Sequence, residues 1–156
     1  MRRKDREILD SEKIDEIIKH CHCCRLGFVD DGKPYIVPLS FGFTHENDKR
    51  VFYFHGAKVG RKIDLIKKTG FACFEMDTAY SLTSGENACD YACQFQCVMG
   101  EGTVTLIENN DEKRFALTQL MFKETGKKDW HFPSIMLART ASFKLEVELI
   151  SCKEHE

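Results

Sequence analysis

The chain is organised around one stretch of sequence, His55-Gly56-Ala57-Lys58-Val59-Gly60-Arg61-Lys62-Ile63-Asp64-Leu65-Ile66-Lys67-Lys68. The four apolar and aromatic residues before it, Val51-Phe52-Tyr53-Phe54, predict a buried strand. After its two glycines, Ile63 and Ile66 repeat at helical spacing, and Gly70 is a typical helix end. We therefore predict a strand, a glycine-rich turn and then a short helix.

Three cations, Lys58, Arg61 and Lys62, surround the predicted start of this helix. Cations at a helix N-terminus oppose the helix dipole, which favours negative charge there. A bound phosphate would resolve this conflict, because free backbone N–H groups and basic side chains could then share one anion. The alternative is an exposed basic helix start that binds nothing, and the local pattern leaves both interpretations open.

The composition is that of an ordinary globular domain. Hydrophobic residues make up 42% of the 156 residues, which is enough to bury a core. No repeat, linker or low-complexity tract divides the chain, so we predict a single domain over residues 1–156. The formal net charge of −2, without a long basic face, argues against a nucleic-acid partner.

No apolar run approaches the length of a membrane span, and the N-terminus lacks the apolar core of a signal peptide. We therefore expect a cytoplasmic protein without a membrane partner. Its eight cysteines should stay reduced in that compartment.

Two groups of cysteines raise the question of a metal site: Cys21-His22-Cys23-Cys24, and Cys89, Cys93 and Cys97. Structural zinc sites usually contain paired Cys-x-x-Cys or Cys/His motifs. The first group straddles a predicted helix–strand junction, where successive side chains point in different directions. The second would share one face only in a helix. We predict scattered, partly buried thiols and no metal, with a redox-active thiol near a cofactor as the alternative.

Periodicity predicts six strands and three short helices. The strands are residues 23–30, 33–43, 50–55, 71–78, 92–107 and 140–150, and besides the helix of the central stretch, helices cover about residues 11–20 and 111–125. Asp31-Gly32 predicts a tight hairpin turn, and Gly100 and Gly102 predict a bulge or bend. Short strands joined by hairpins favour a mainly β fold with short helices, built as a small antiparallel barrel.

Two of these elements carry a predicted apolar face. In the last helix the face consists of Phe115, Leu117, Leu120, Met121 and Phe122, and in the last strand of Phe143, Leu145, Val147 and Leu149. Residues 1–10 are predicted to form a polar arm. Residues 127–139, which include Trp130, are predicted to be an irregular connection.

Pro38 interrupts the second predicted strand, Tyr35-Ile36-Val37-Pro38-Leu39-Ser40-Phe41-Gly42-Phe43. Proline has no backbone N–H, so this strand must lie at a sheet edge or at a bulge. Neighbouring backbone groups are then free to meet a ligand.

Together these pieces resemble the FMN-binding split-barrel proteins related to pyridoxamine-phosphate oxidase, and within them the 5-nitroimidazole-resistance (nitroimidazole reductase) group. The resemblance rests on residues 1–7, 34–42 and 52–64 and on the Gly100-Glu101-Gly102 bend. These segments follow the family's order and are spread over most of the chain.

The resemblance implies a six-stranded antiparallel split β-barrel that forms a homodimer, with flavin mononucleotide (FMN) at each of two subunit interfaces. FAD is compatible with the same pattern. By position, Arg61 and Lys62 match the phosphate-binding pair, with Lys58 and Gly60 in the same turn. The strand that lies along the flavin ring is matched by Val37, Pro38, Leu39 and Ser40.

The sequence departs from the pyridoxamine-phosphate oxidases proper at its C-terminus. Those enzymes present extra basic residues there for the phosphate of their substrate. Here residues 142–156 are mainly acidic, and Lys144 and Lys153 are the only lysines or arginines among them. Oxidation of vitamin B6 is therefore not expected.

His55 ends the strand that leads to the phosphate turn, so the resemblance places it near the edge of the flavin. An imidazole there could protonate a substrate that accepts electrons, or it could hydrogen-bond within the turn and fix its shape. Trp130 could close the pocket over a flat substrate, or pack in the core or at a dimer interface. Both pairs of alternatives stay open.

The expected function is an FMN-dependent reductase that passes electrons to a small, flat acceptor such as a nitroaromatic (nitroimidazole) or a quinone. A non-catalytic flavin-binding or redox-sensing protein would use the same site. A third interpretation replaces flavin by haem, which related split barrels bind, with His20, His22 and His55 as candidate ligands.

Overall fold

A computed structural model describes residues 3–155, so Met1, Arg2 and Glu156 lie outside the described part of the chain. The strands are β1 (Glu7–Ile8), β2 (Cys24–Asp30), β3 (Lys33–Leu39), β4 (Gly42–Glu46), β5 (Lys49–Ala57), β6 (Phe71–Thr83), β7 (Ala92–Ile107) and β8 (Thr140–His155). The helices are α1 (Ser11–His20), α2 (Arg61–Thr69), α3 (Asn110–Thr125) and α4 (Ser134–Arg139). None of these helices is long and apolar enough to cross a membrane.

The eight strands form one antiparallel sheet in the order β3-β2-β6-β7-β8-β5-β4, and β1 pairs with β8 beside this path. The mainly β fold with short helices is therefore confirmed, but the count of six strands is wrong. The predicted strand over residues 33–43 is two strands, β3 and β4. In addition, the predicted polar arm docks onto the sheet, because Glu7 and Ile8 pair with Lys153 and Cys152.

The sheet is strongly curled but stays open, because β3 and β4 do not pair with each other. β3 and β4 are its two edge strands, yet only Ser40 and Phe41 connect them. Two linking residues can bridge at most about 11 Å, whereas the edges of a flat seven-strand path would lie about 29 Å apart. The rings of Phe52 in β5 and Phe74 in β6 approach to 5.0 Å, although β7 and β8 lie between those strands in the sheet.

The inside of the curled sheet holds the hydrophobic core. α1 closes one side of it with Ile14, Ile17 and Ile18, at the predicted helical spacing. Asp10 caps this helix by accepting hydrogen bonds from the backbone N–H groups of its first turn. The largest fully buried side chains include four aromatic rings from β5, β8 and the link before β4, namely Phe41, Phe52, Phe54 and Phe143.

A β-bulge bends the sheet where β7 meets β8, as the two glycines of this region predict. Glu101 pairs with Leu149 and Gly102 pairs with Val147, so Glu148 is the extra residue. A Cβ atom on Gly102 would overlap a carbonyl oxygen of β8. Glycine is therefore required for the close approach of these two strands.

Because of this bulge, the apolar face predicted for β8 is right before Glu148 and wrong after it. Phe143 and Leu145 point into the core as expected, but Leu149 is 63% exposed and Cys152 is buried. One extra residue at Glu148 reverses which side chains face inwards, because side chains alternate with a period of two.

α3 covers the outer side of β4 and β5 with a face that differs from the predicted one. Its buried residues are Lys113, Ala116 and Leu120. Phe115 and Phe122 are 45% and 40% exposed, so the prediction was wrong at both. The helix backbone lies directly on β4, which leaves room for the small Ala116 and not for a row of phenylalanines.

Candidate functional site

The predicted strand, turn and helix of the central stretch are present as β5, the link 58–60 and α2. Gly60 is the N-cap of α2 and has φ of 122°, a conformation that favours glycine. Its carbonyl oxygen accepts the N–H groups of Ile63 and Asp64. Within the described chain, the N–H groups of Arg61 and Lys62 have no partner and no side chain caps them. They are the donors that a helix start offers to an anion.

Arg61 leans from this helix start towards the hairpin of β2 and β3. Its Nε donates a hydrogen bond of 2.9 Å to Oδ2 of Asp30, and its guanidinium carbon lies 4.4 Å from the ring centroid of Tyr35. The two terminal nitrogens of Arg61 have no partner among residues 3–155. Asp30 and Tyr35 thus hold the guanidinium beside β3 while its terminal N–H groups stay free.

Lys62 leans in another direction, over the end of β5. A Cβ atom on Gly56 would lie 2.9 Å from Cε and 3.1 Å from Nζ of Lys62, so the lysine crosses the strand where a side chain is missing. His55 precedes this glycine. It is exposed, pairs in register with Ser142 of β8, and its ring makes no hydrogen bond within the described residues.

Lys58 does not join Arg61 and Lys62. It lines a separate cavity with residues of α2, β7, α3 and β8. The structure therefore separates the three cations that are close in sequence. Arg61 lies next to β3, and Lys62 lies next to His55 at the end of β5.

The strand predicted to meet a flavin ring is β3, an edge strand whose one partner among residues 3–155 is β2. This confirms the edge position required by Pro38. Val37 and Leu39 are half-buried against the core, whereas Pro38 and Ser40 are exposed. The contact between Arg61 and Tyr35 brings the helix start next to this strand.

The outer face of β2, β3, β6 and β7 exposes apolar side chains. Val29, Ile36 and Met99 are 64%, 65% and 41% exposed. An opening of about 400 Å³, a size typical of small-molecule sites, lies beside Ile36 and Met99. It is lined by Arg25, Gly27, Ile36, Cys73, Phe74, Glu75, Met99 and Gly100.

The cysteines are all free thiols. Within residues 3–155 no group of three or more His, Cys, Asp or Glu side chains is placed to hold a metal ion. Burial raises the pKa of Cys21 to about 12 and the pKa of Cys97 and Cys152 to about 11. Burial also holds the pKa of Cys24 well above its usual value. These four thiols therefore stay protonated and unreactive at neutral pH.

Trp130 and two of the candidate haem ligands lie on other parts of the chain. Trp130 is in the link between α3 and α4, and its Nε1 donates to the carbonyl oxygen of Lys127 at 2.9 Å. The hydrogen bonds of Trp130 stay within this link. His20 ends α1, where its Nδ1 donates to the carbonyl oxygen of Glu16, and His22 is exposed on the following link.

The site thus combines a curled antiparallel sheet, an edge strand and a helix start flanked by cations. The chain belongs to the pyridoxamine 5'-phosphate oxidase family, whose model matches residues 10–154. This match confirms the resemblance drawn from the sequence. Among curated proteins, none matches the chain.

Solved structures support the same assignment. A proposed 5-nitroimidazole antibiotic resistance protein from Bacteroides thetaiotaomicron is 28% identical, with a TM-score of 0.82, over 95% of this chain and 86% of that chain. The flavocytochrome Anf3 from Azotobacter vinelandii is 21% identical, with a TM-score of 0.80, over 100% and 72% of the two chains. An FAD- and haem-binding protein from Mycobacterium smegmatis is 18% identical, with a TM-score of 0.82, over 97% and 74%. The last two similarities show the fold alone.

Proposed function

We propose that the protein is a homodimer that binds FMN at its subunit interfaces and reduces a small, flat acceptor such as a nitroaromatic or a quinone. The observation that carries the proposal is the start of α2, where two backbone N–H groups without a partner among residues 3–155 and the Arg61 side chain adjoin the edge strand β3, while Lys62 lies over the end of β5. The 5-nitroimidazole resistance protein among the similar structures is what suggests the class of acceptor.

The residues of the α2 start fit the terminal phosphate of a flavin nucleotide. The N–H groups of Arg61 and Lys62 and the terminal nitrogens of Arg61 are donors without a partner in the described chain, and a phosphate accepts several such bonds at once. Asp30 orients the guanidinium through Nε without using those terminal groups. Lys62 adds a second positive charge from the side of Gly56.

The residues of β3 fit a flat ring. Pro38 and Ser40 expose one side of an unpaired strand edge, so a planar heterocycle could lie along the backbone there. The exposed apolar face with Ile36 continues from this strand. A second copy of the chain on this face would cover both the apolar side chains and the ring.

The bound flavin would supply the redox chemistry. The chain's own residues would hold the phosphate at Arg61 and Lys62, position the ring at Val37, Pro38, Leu39 and Ser40, and deliver a proton from His55 to the acceptor. An exposed imidazole without a hydrogen-bond partner in the described chain is suited to proton delivery, because its ring N–H groups are free to contact the acceptor.

The visible spectrum of the freshly purified protein tests the cofactor, since flavin and haem absorb differently. We expect a flavin spectrum; a haem spectrum would instead favour the interpretation with His20, His22 or His55 as ligand. Steady-state turnover with a reduced nicotinamide donor and a nitroimidazole tests the reaction. Bound flavin without turnover of any nitroaromatic or quinone would favour a flavin-binding or redox-sensing role.

Arg61→Ala is expected to weaken FMN binding about ten- to a hundredfold, because it removes a charge-assisted contact worth roughly 1.5–3 kcal/mol. Adding Lys62→Ala should weaken it further, and high salt should increase the loss. Both variants should purify folded but paler, and FMN titration by fluorescence quenching gives the affinities. Lys68→Ala is the matched control, since it removes an equal charge from the same helix and breaks only the exposed ion pair with Asp31. Unchanged FMN affinity in both variants would remove the phosphate assignment.

The protein is expected to be a dimer in solution, with a mass by light scattering of about twice the 18.0 kDa of one chain. Ile36→Asp should shift the mass towards that of a monomer, because it places a charge on the exposed apolar face of β3. Leu9→Asp is the control, since Leu9 is 82% exposed and does not line the opening next to Ile36. A monomer that binds FMN tightly would contradict the interface site.

A further inference from the structure

A cavity of about 140 Å³ lies at the other side of α2 from Arg61. Its walls come from α2, the first turns of α3, the link after β5, and the adjoining ends of β7 and β8. The charged and polar side chains that line it are Lys58, Lys67, Glu108, Lys113 and Ser142. The link after β5, α2 and α3 thus each contribute a lysine to the lining of one small space.

None of these three lysines has an ion-pair partner within 4.0 Å among residues 3–155. Lys113 is the most constrained of them, because it is only 7% exposed and lies on the face of α3 that meets the sheet. A lysine that is largely buried and has no ion-pair partner favours an anion next to its ammonium group. An anion in the cavity would compensate it.

Ser142 provides an independent observation. It is 1% exposed, and its Oγ has no hydrogen-bond partner within the part of the chain that the structure describes. Buried hydroxyl groups are nearly always hydrogen-bonded. Since Ser142 lines the cavity, a ligand oxygen there would satisfy this hydroxyl.

Glu108 is the only acidic residue in the lining. Three lysines and one glutamate leave the lining with two excess positive charges, and Glu108 pairs with none of the lysines within 4.0 Å. The balance of charge and the free hydroxyl donor together favour a small dianion over a neutral ligand or a cation.

The cavity is distinct from the proposed FMN phosphate site. Arg61 and Lys68 lie on the side of α2 that faces the hairpin of β2 and β3, where they pair with Asp30 and Asp31. Ile63 and Lys67, four residues apart, share another side of the helix, and both line the cavity.

We propose that this cavity binds a tetrahedral phosphate dianion, either inorganic phosphate or the phosphate group of a small monoester. Lys113 and Lys67 neutralise its charge, Lys58 approaches from the link after β5, and the Ser142 hydroxyl donates to one of its oxygens. Because Ser142 pairs in register with His55, the anion would lie beside the strand end that carries the candidate proton donor.

Calorimetric titration of the FMN-saturated protein with inorganic phosphate, and separately with glycerol phosphate, tests this proposal. Ionic strength is held constant with sodium chloride. Saturable binding is expected, weakened about tenfold or more in Lys113→Met and several-fold in Ser142→Ala. Lys49→Met is the matched control and should bind as the parent does, because Lys49 lies at the opposite end of β5.

Ser142→Ala also gives a readout that does not depend on binding. Without phosphate its melting temperature should equal or exceed that of the parent, because the variant removes an unsatisfied buried hydroxyl. Adding phosphate should raise the melting temperature of Ser142→Ala by less than it raises that of the parent. Binding of the monoester alone would identify a metabolite as the source, and binding of both would identify the phosphate group itself.

Three results would overturn the proposal: no saturable binding of either probe, an equal loss in Lys49→Met, or release of FMN by phosphate in a competitive manner. The last would mean that the anion occupies the FMN phosphate site. If the protein binds no FMN, the proposed function fails, but the same titrations on the purified chain still decide whether the cavity binds phosphate.

Discussion

Gly42→Ala is expected to destabilise the protein by about 3 kcal/mol or more. A Cβ atom at this position would lie 2.5 Å from the backbone nitrogen of Leu120 and 2.6 Å from the backbone carbonyl carbon of Gln119. Both atoms belong to the main chain of α3, so no side-chain rotation relieves the overlap. Overpacking of a core typically costs about 1–3 kcal/mol, and a clash between two backbones belongs at the upper end of that range or beyond it.

Urea denaturation followed by circular dichroism measures the loss, and in a thermal scan it corresponds to roughly 6–12 °C. Gly27→Ala is the matched control, because a Cβ there would meet its nearest atoms at 3.9 and 4.0 Å, an ordinary contact. We expect that variant to unfold like the parent. Equal stability of Gly42→Ala and the parent would show that α3 does not rest on β4 in the way described.

Local chemistry was sufficient to predict the bounds of α1 and α3 to within one residue, but it missed β1, β4 and α4 and ended β6 and β8 five residues early. Asp10 and Asn109 cap α1 and α3 through their side chains, and Gly70 and Gly126 end α2 and α3 with φ of 61° and 71°. These signals need only the residues next to them. The extent of β7, Ala92–Ile107, was also predicted, from the pattern of its residues.

Contacts between distant segments could not be predicted in this way. The run from Pro34 to Phe43 looks like one strand, but it leaves one edge of the sheet at Leu39 and joins the opposite edge at Gly42. Where the edges meet depends on how far the whole sheet curls. The exposure of Phe115 and Phe122 could not be predicted for the same reason, because it depends on how close α3 lies to Gly42.

In the candidate site, too, the local features were predicted and the contacts between distant segments were not. The sequence identified the glycine turn and the free helix start, because both depend on adjacent residues. It grouped Lys58 with Arg61 and Lys62, whereas the structure separates them, because the partners Asp30 and Tyr35 come from another hairpin.

The phosphate cavity was missed for this reason. It combines Lys113 and Ser142 with α2, and no short motif contains these elements. One sequence signal was available. Lys113 stands at i, i+3 and i+7 spacing with Ala116 and Leu120, so a lysine occupies the helix stripe that packs against the sheet.

His55→Gln is expected to retain FMN and to reduce the rate of acceptor reduction about a hundred- to ten-thousandfold, the range typical of general acid catalysis. His55 is exposed, its ring has no hydrogen-bond partner within residues 3–155, and it lies at the strand end that leads to Lys62. A glutamine keeps the size and polarity of the side chain but has no proton to give at neutral pH. The phosphate and ring contacts come from other residues, so FMN affinity should change little.

Stopped-flow oxidation of the reduced protein by a nitroaromatic, measured across pH, separates proton delivery from a structural role. In the parent the rate should be lower at high pH than at low pH, because a protonated donor is needed to deliver the proton. In His55→Gln the rate should be low and nearly independent of pH, whereas His22→Gln, which removes another exposed imidazole, should follow the parent. If the profiles of His55→Gln and the parent overlap, protons reach the acceptor from water, and His55 only borders the cofactor pocket.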